Sequence, residues 1–104
     1  MATLTIFNEE GEAKEIHVQK EVVTIGRLPD NDIEIPDKRV SARHLKLTFS
    51  GNEWTLEDLD STNGTFVNGE FVKGKKLKEG DEIVIGKTKI LFGKRTSPEC
   101  PEEE

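Results

Sequence analysis

Short stretches of alternating apolar and polar residues follow one another along most of the chain. In the clearest one, at 45–50, every second residue is apolar, and a Gly51-Asn52 pair separates it from a second alternating stretch at 54–56. A period of two residues is that of a β-strand with one buried face, and two such runs joined by a two-residue turn predict a hairpin. No stretch has the i, i+3, i+4 spacing of an amphipathic helix. The pattern therefore predicts an all-β protein.

Turn-forming residues separate these stretches about every ten residues, a spacing typical of a β-sandwich. The predicted strands lie at residues 3–6, 16–18, 23–25, 33–35, 45–50, 54–56, 65–67, 71–72, 82–85 and 88–92. After residue 93 the alternation stops and Pro, Glu, Ser and Thr dominate, a composition that buries too little apolar surface to become ordered. We therefore predict one folded domain at 1–93 and a flexible acidic tail at 94–104.

Composition limits the cellular context. The chain has 104 residues, of which 33% are hydrophobic and 35% charged, enough for one soluble domain with a thin core. Its single cysteine, Cys100, excludes an intrachain disulfide and fits a reducing compartment, so we expect a cytoplasmic protein. No stretch approaches the ~18 apolar residues that cross a bilayer, and no signal-peptide pattern opens the sequence. We expect a monomer that neither is secreted nor enters a membrane.

The distribution of charge narrows the class of ligand. A net charge of −6 argues against general affinity for nucleic acid, because binding to a phosphate backbone relies on an excess of Lys and Arg. Lys38, Arg39 and Arg43 nevertheless cluster around Ser41. A small basic site on an acidic protein predicts a specific anionic ligand.

Several motif fragments resemble cofactor or metal sites, but each is incomplete. Residues 86–88 read Gly-Lys-Thr, but Gly80 is one residue too far away for a phosphate-binding P-loop, and no helix pattern follows. Asp58 and Asp60 resemble the start of a calcium loop that lacks its later ligands. His17 lies among alternating strand residues without a second ligand nearby in the sequence. We expect no cofactor and no metal.

The sequence evidence for a catalytic function is also weak. Ser41 and His44 with a nearby Asp could be imagined as a hydrolytic triad, but no nucleophile elbow surrounds Ser41. A Ser-His pair alone carries little information about chemistry. We expect a protein that is not an enzyme.

Four short motifs occur in a fixed order: Gly26-Arg27, Ser41-x-x-His44, the run at 61–65 (Ser-Thr-Asn-Gly-Thr) and Asn68-Gly69. Together they resemble the forkhead-associated (FHA) domain family, and the resemblance runs from Val23 to Phe92. It implies a β-sandwich of two antiparallel sheets with recognition loops at one end. It also implies that the domain binds phosphothreonine-containing proteins or peptides and has no catalytic activity of its own.

The resemblance assigns roles to the loop residues. Arg27, Ser41 and Thr62 match the residues that hold the phosphate, and Asn63 matches the one that grips the peptide main chain. Arginine suits this task because its planar group presents several donors to a dianion. An ion pair with Asp30 or Asp32 is the alternative role of Arg27.

Other matched positions have supporting roles. The resemblance makes His44 a prop behind the binding loop and Gly26 a point of close approach, with Asn68 and Gly69 as further structural support. Arg39, two residues before Ser41, is implied to contact the side chain about three residues beyond the phosphothreonine, where an acidic residue would pair with it.

Arg43 adds positive charge to the same loop and is expected to contact the peptide. Ala42 departs from the family pattern, in which a polar or basic residue often follows the serine, so one auxiliary phosphate contact is missing. We expect this absence to weaken binding without abolishing it.

Two alternatives remain open at this point. The same fold could serve as a phosphate-independent assembly module whose loops bind an unmodified protein surface. The domain could also regulate itself if Thr96 or Ser97 in the tail were phosphorylated and occupied its own site.

Overall fold

The computed structural model describes residues 2–93, and eleven β-strands form the regular secondary structure of this part of the chain. The strands are β1 Ala2–Phe7, β2 Ala13–Val18, β3 Val22–Gly26, β4 Ile33–Glu34, β5 Leu45–Ser50, β6 Glu53–Asp58, β7 Thr65–Val67, β8 Glu70–Val72, β9 Gly74–Leu77, β10 Glu82–Ile85 and β11 Thr88–Phe92. The all-β prediction is confirmed. The predicted tail at 94–104 lies outside the described residues. Within 2–93 there is no helix long and apolar enough to span a membrane.

The strands form two sheets. One has six strands in the order β2-β1-β11-β10-β7-β8, and the other has five in the order β4-β3-β5-β6-β9. The sheets are antiparallel as expected, with one departure, since β4 pairs with β3 in parallel through Ile25 and Ile33. The parallel pair arises because the chain makes a loop after Gly26, and β4 then runs beside β3 in the same direction.

Alternate residues of both sheets point inward and form one core. The apolar residues with at most 1% exposure are side chains of the predicted strands together with Val40: Leu4, Ile25, Val40, Leu45, Leu47, Leu56, Val67, Ile83, Ile85 and Ile90. At one end of this core the Trp54 ring packs against Phe49 and Phe92, at centroid distances of 5.1 and 6.2 Å. Burial of these side chains, at roughly 1.5–3 kcal/mol each, is the main force that closes the sandwich.

One strand, β9, was not predicted from the sequence. Three of its four residues, Gly74, Lys75 and Lys76, are polar or lack a side chain, and only Leu77 is buried. The strand forms because β6 offers it a free edge, with Trp54 opposite Leu77 and Leu56 opposite Lys75. Tertiary pairing therefore overrides a weak local pattern here.

The register brings three loops to one end of the sandwich. Leu45 at the start of β5 pairs both with Ile25 near the end of β3 and with Asp58 at the end of β6. The loops that follow β3, precede β5 and follow β6 are therefore neighbours. We call this end the recognition end. The first and last described strands meet at the opposite end, where the Gly93 N–H donates to the Thr3 carbonyl at 2.7 Å.

Candidate functional site

A shallow hollow of about 240 Å³ opens at the recognition end. It is lined by residues of three loops: Arg27, Lys38, Arg39, Val40, Ser41, Ala42, Thr62 and Asn63. Five of the six residues that the sequence assigned to phosphate or peptide, namely Arg27, Ser41, Thr62, Asn63 and Arg39, thus lie around one space. Three of the lining residues are cationic, so the hollow is basic on a protein whose net charge is −6.

Arg27 is held by the backbone and not by an acid. Its backbone N–H donates to the Ser41 carbonyl at 3.0 Å, and its side-chain Nε donates to the Val40 carbonyl at 3.1 Å. Its guanidinium forms no salt bridge with any residue of the described part of the chain, and Asp30 and Asp32 pair instead with Arg43 and Lys20. The terminal N–H groups of Arg27 are therefore left to bind an anion.

Ser41 joins two of the loops. Its Oγ accepts a hydrogen bond from the Thr62 N–H at 2.9 Å. A hydroxyl that accepts one bond can still donate its own proton, so the Ser41 O–H remains a donor. The same contact fixes the position of Thr62, whose side chain is exposed.

Asn63, like Ser41, joins two of the loops. Its Nδ2 donates to the Arg39 carbonyl at 2.8 Å. One N–H and the side-chain oxygen are then left for a ligand, because an amide has two donors and one acceptor oxygen. The Arg39 side chain is half exposed, and its Nη1 lies 3.8 Å from the Asp37 carboxylate.

His44 connects the loops from behind. The ring is fully buried, its Nδ1 accepts from the Ser41 N–H at 3.0 Å, and its Nε2 lies 2.9 Å from the Gly64 carbonyl. An acceptor on one side and a carbonyl on the other assign a neutral ring with the proton on Nε2. Since His44 bonds to the Ser41 backbone and not to its Oγ, the pair lacks the nucleophile–base hydrogen bond of a hydrolytic triad.

Gly26 lies directly beneath this loop. A Cβ placed there would collide with the Ala42 backbone carbonyl and come within 2.8 Å of the Asn31 side-chain nitrogen. No residue with a side chain fits without displacing the loop that carries Ser41. The predicted role of Gly26, close approach to the binding loop, agrees with this packing.

Asn31 was not singled out from the sequence. Its Nδ2 donates to the Leu28 carbonyl at 2.8 Å and to the Ala42 carbonyl at 2.7 Å. The residue is buried, so these bonds hold the loop of Arg27 against the loop of Ser41. Its partners are backbone groups, which leave no trace in the sequence.

Asp37 anchors the loop of Lys38 and Arg39 to the turn between β10 and β11. Its carboxylate accepts from the Arg39 N–H at 2.9 Å, the Lys87 N–H at 2.8 Å and the Thr88 hydroxyl at 3.0 Å. Burial by itself raises the pKa of Asp37, but these hydrogen bonds and the charge of Arg39 outweigh it and hold that pKa below its ordinary value.

Asp58 organises the loop that carries Thr62 and Asn63. Its carboxylate accepts from the Ser61 N–H at 2.8 Å and from the Ser61 and Thr65 hydroxyls, each at 2.6 Å. Burial opposes ionisation, yet these bonds lower the pKa of Asp58 below its ordinary value. Asp is favoured in turns because its carboxylate accepts hydrogen bonds from nearby backbone N–H groups, and this preference is the signal that could have identified Asp58.

Asp58, which resembles the first ligand of a calcium loop, has other partners in the structure. The Asp58 oxygens are occupied by Ser61 and Thr65, and residues 2–93 contain no group of three or more His, Cys, Asp or Glu side chains that could hold a metal ion.

A family model for the FHA domain matches residues 23–86, more than half of the chain. The chain belongs to the FHA domain family. Among relatives, the glycogen accumulation regulator GarA of Mycobacterium tuberculosis is 40% identical over 83 residues, which cover 80% of this chain and 50% of GarA. The chain thus spans about half the length of this relative.

Solved FHA domains share the fold. The FHA domain of FhaA from Mycobacterium tuberculosis, crystallised with the intracellular domain of a second protein, aligns with a TM-score of 0.80 and 35% identity over 88% of this chain and 99% of its own. Another, studied for phosphothreonine-dependent interactions, aligns with a TM-score of 0.79 and 34% identity over 90% of this chain and 96% of its own.

Three of the expected site residues lie elsewhere in this FHA domain. Arg43 does not line the hollow, because its guanidinium pairs with Asp30 on the surface. Asn68 and Gly69, with φ of 52° and 86°, form the turn between β7 and β8 at the end opposite the recognition end. Their support is given to the sheet and not to the loops of the hollow.

Proposed function

We propose that this FHA domain binds phosphothreonine-containing peptides or proteins, with the phosphate in the hollow at the recognition end. The observation that carries the proposal is the Arg27 guanidinium, which has no carboxylate partner among residues 2–93 and lines the same hollow as Ser41. A phosphate carries about −1.5 to −2 charges at pH 7 and several acceptor oxygens, so it suits a site of donors and cations. Thr62 adds a hydroxyl to the same hollow.

The remaining lining residues fit an extended peptide around the phosphothreonine. Asn63 keeps an amide oxygen and one N–H for the peptide main chain. Arg39 stands at the rim and is suited to an acidic side chain about three residues beyond the phosphothreonine. The missing contact at Ala42 leaves the phosphate on three residues, and we expect a dissociation constant on the order of 1 μM, which suits reversible signalling.

The relatives support a binding role. GarA is a regulator by name, and solved neighbours were studied in phosphothreonine-dependent interactions and in complex with a second protein. We infer that this domain is a monomeric adaptor with no catalytic activity, which acts in the cytoplasm on a phosphorylated partner. No nucleic acid or membrane enters this proposal.

The test is binding of oriented peptide libraries in phosphothreonine, phosphoserine and unmodified forms. Wild-type protein is expected to select the phosphothreonine set, and Arg27→Ala to bind it at least about thirtyfold more weakly, because a charge-assisted contact is lost. Arg43→Ala is the matched control, since it removes a neighbouring arginine outside the hollow. Its affinity is expected to stay within about threefold of wild type.

Thermal unfolding separates a binding effect from a folding effect. The midpoint of Arg27→Ala is expected to equal that of wild type, because its side chain lies outside the core. Equal binding of all three peptide forms would replace the proposal with the phosphate-independent assembly module. Self-regulation through Thr96 or Ser97 remains a hypothesis about residues outside the described part.

A further inference from the structure

A row of large apolar side chains crosses the outer face of the six-stranded sheet. Directly paired residues of neighbouring antiparallel strands share a face, and the register pairs Phe71 with Phe66 and Phe66 with Val84. The charged Lys89, which pairs with Val84, ends the apolar part of the row. Ile83 and Ile90, adjacent in sequence to members of this row, are fully buried. Since successive side chains of a strand alternate between faces, the row points away from the core.

The β8 end of this row is exposed. Phe71 is 53% exposed and is the most exposed large apolar side chain in the part of the chain that the structure describes. Its ring packs edge-on against Phe66, with centroids 5.7 Å apart, and Lys73 Nζ lies 5.4 Å from its centroid. We call Phe66, Phe71 and Val84 the aromatic patch. Contiguous exposed apolar surface on a soluble protein marks an interaction site more often than scattered apolar residues do.

The aromatic patch is continuous with the recognition end. A Cβ placed on Gly64 would come within 2.6 Å of a ring carbon of Phe71, so the ring lies against the backbone of the loop that carries Thr62 and Asn63. His44 fixes this same loop through the Gly64 carbonyl. A ligand that leaves the hollow past Asn63 therefore meets Phe71 next.

The distance from Thr62 to the Phe71 ring is short enough for an extended peptide to span. Thr62 and Gly64 are two residues apart, so their Cα atoms are separated by at most about 7.5 Å, and the Phe71 ring adds roughly 4 Å more. An extended peptide advances about 3.3 Å per residue. A side chain three to five residues from a phosphate-bound threonine thus reaches the patch.

We propose that the aromatic patch is a second contact surface for the phosphorylated partner, which takes an apolar side chain three to five residues from the phosphothreonine. The Lys73 ammonium, which forms no ion pair with another described residue, favours a carboxylate next to that side chain. This inference rests on the proposed function, because the phosphate site positions the segment. It adds a selectivity that neither Arg27 nor Arg39 provides.

The experiment uses phosphothreonine peptide libraries with one randomised position at a time, on either side of the phosphothreonine. Wild-type protein is expected to select Leu, Ile, Phe or Met at one position three to five residues away. Phe71→Thr is expected to lose that selection and to bind the selected peptide about tenfold more weakly, because an aromatic contact is removed. Both proteins are expected to bind a peptide with only two residues on each side of the phosphothreonine equally well.

Val22→Thr is the matched control. Val22 is also an exposed strand residue, at 46%, but it lies on β3 in the other sheet. It is expected to keep the apolar selection, and equal binding of the short peptide by all three proteins shows that each is folded.

Each other outcome overturns the inference. If phosphothreonine peptides bind but no apolar position is selected, or Phe71→Thr selects as wild type does, the patch is not a partner surface while the phosphate site stands. If no phosphopeptide binds wild-type protein, the proposed function fails, and this inference fails with it. If wild type sediments as a dimer and Phe71→Thr as a monomer, the patch belongs to a second copy of the chain.

Discussion

The binding site depends on individual residues whose bonds go to backbone atoms. His44 joins the Ser41 N–H to the Gly64 carbonyl, and Asn31 joins the Leu28 and Ala42 carbonyls. Each lies behind the surface that a ligand would contact, and each replaces solvent at a buried polar group. The side chains that face the ligand therefore lie on loops whose spacing is fixed by these buried hydrogen bonds.

Gly26 gives the sharpest test at this scale. Gly26→Ala is expected to lower the free energy of unfolding by about 1–3 kcal/mol, because the new Cβ collides with the Ala42 carbonyl and the core cannot yield freely. Urea denaturation measures the change. Gly74→Ala is the control, since its Cβ would lie an ordinary 3.6 Å from the Leu56 carbonyl. Equal stability of the two variants would show that Gly26 is not a steric requirement.

The sequence predicted the residues that face the hollow better than those that support it. Arg27, Ser41 and Thr62 could be assigned because their chemistry matches a phosphate and their spacing matches a family. Asn31 and Asp37 could not, since their partners are main-chain groups or distant residues and any sequence supplies a backbone. Arg43 was expected to contact the peptide, but it lies outside the hollow, because charge near Ser41 in sequence does not fix the direction of a side chain and Asp30 lies within its reach.

Among the secondary-structure elements, strands with clear alternation were predicted and β9 was not. Strands β10 and β11 were predicted with the bounds that the structure gives, because each contains a short run of apolar residues, at 83–85 and 90–92, and the 86–87 turn separates them. The order of strands in each sheet was beyond reach, since it depends on pairing between residues far apart in the chain. The parallel pairing of β4 belongs to the same class.

The turn between β7 and β8 allows a test at the level of the element. Asn68 donates from Nδ2 to Asp81 Oδ1 and accepts from the Glu82 N–H, both at 3.0 Å, so it ties this turn to the start of β10. Asn68→Ala is expected to lower the free energy of unfolding by about 1 kcal/mol more than Asn52→Ala does. Both residues have positive φ, 52° and 65°, so the difference isolates the hydrogen bonds.

Thermal or urea unfolding of the two variants measures this difference. Phosphopeptide affinity serves as the second readout, and it is expected to be unchanged in both, because each turn lies at the end opposite the hollow. A weaker affinity of Asn68→Ala alone would show that this residue supports the binding loops.

At the scale of the whole molecule, the recognition end depends on two carboxylates, the partly buried Asp37 and the buried Asp58. Asp37 joins its loop to the turn between β10 and β11, and Asp58 joins the end of β6 to the start of β7. In both, the hydrogen bonds outweigh burial and lower the pKa below the ordinary value of 3.8. The charged form of both residues is therefore the one that the fold stabilises.

This arrangement predicts how stability depends on pH. A folded pKa below the unfolded one gives stability that is complete above about pH 4 and is lost as the pH falls through the folded pKa. Asp58→Asn is expected to be less stable than wild type at about pH 5 and to approach it at about pH 2. Asp60→Asn, which changes an exposed carboxylate, is the control in the same urea series. A constant difference for Asp58→Asn across this range would contradict the assignment.

The meeting of the first and last described strands, through the Gly93–Thr3 hydrogen bond, has a consequence for evolution. Entry and exit points that lie together, away from the recognition end, let a domain be inserted into or appended to many host chains without obstructing its ligand. The segments that match this chain cover 50% of GarA but only 17% of FhaA, so the two host chains differ greatly in length. The same geometry suits protein engineering, because the domain can be inserted into another protein wherever two backbone ends lie close together.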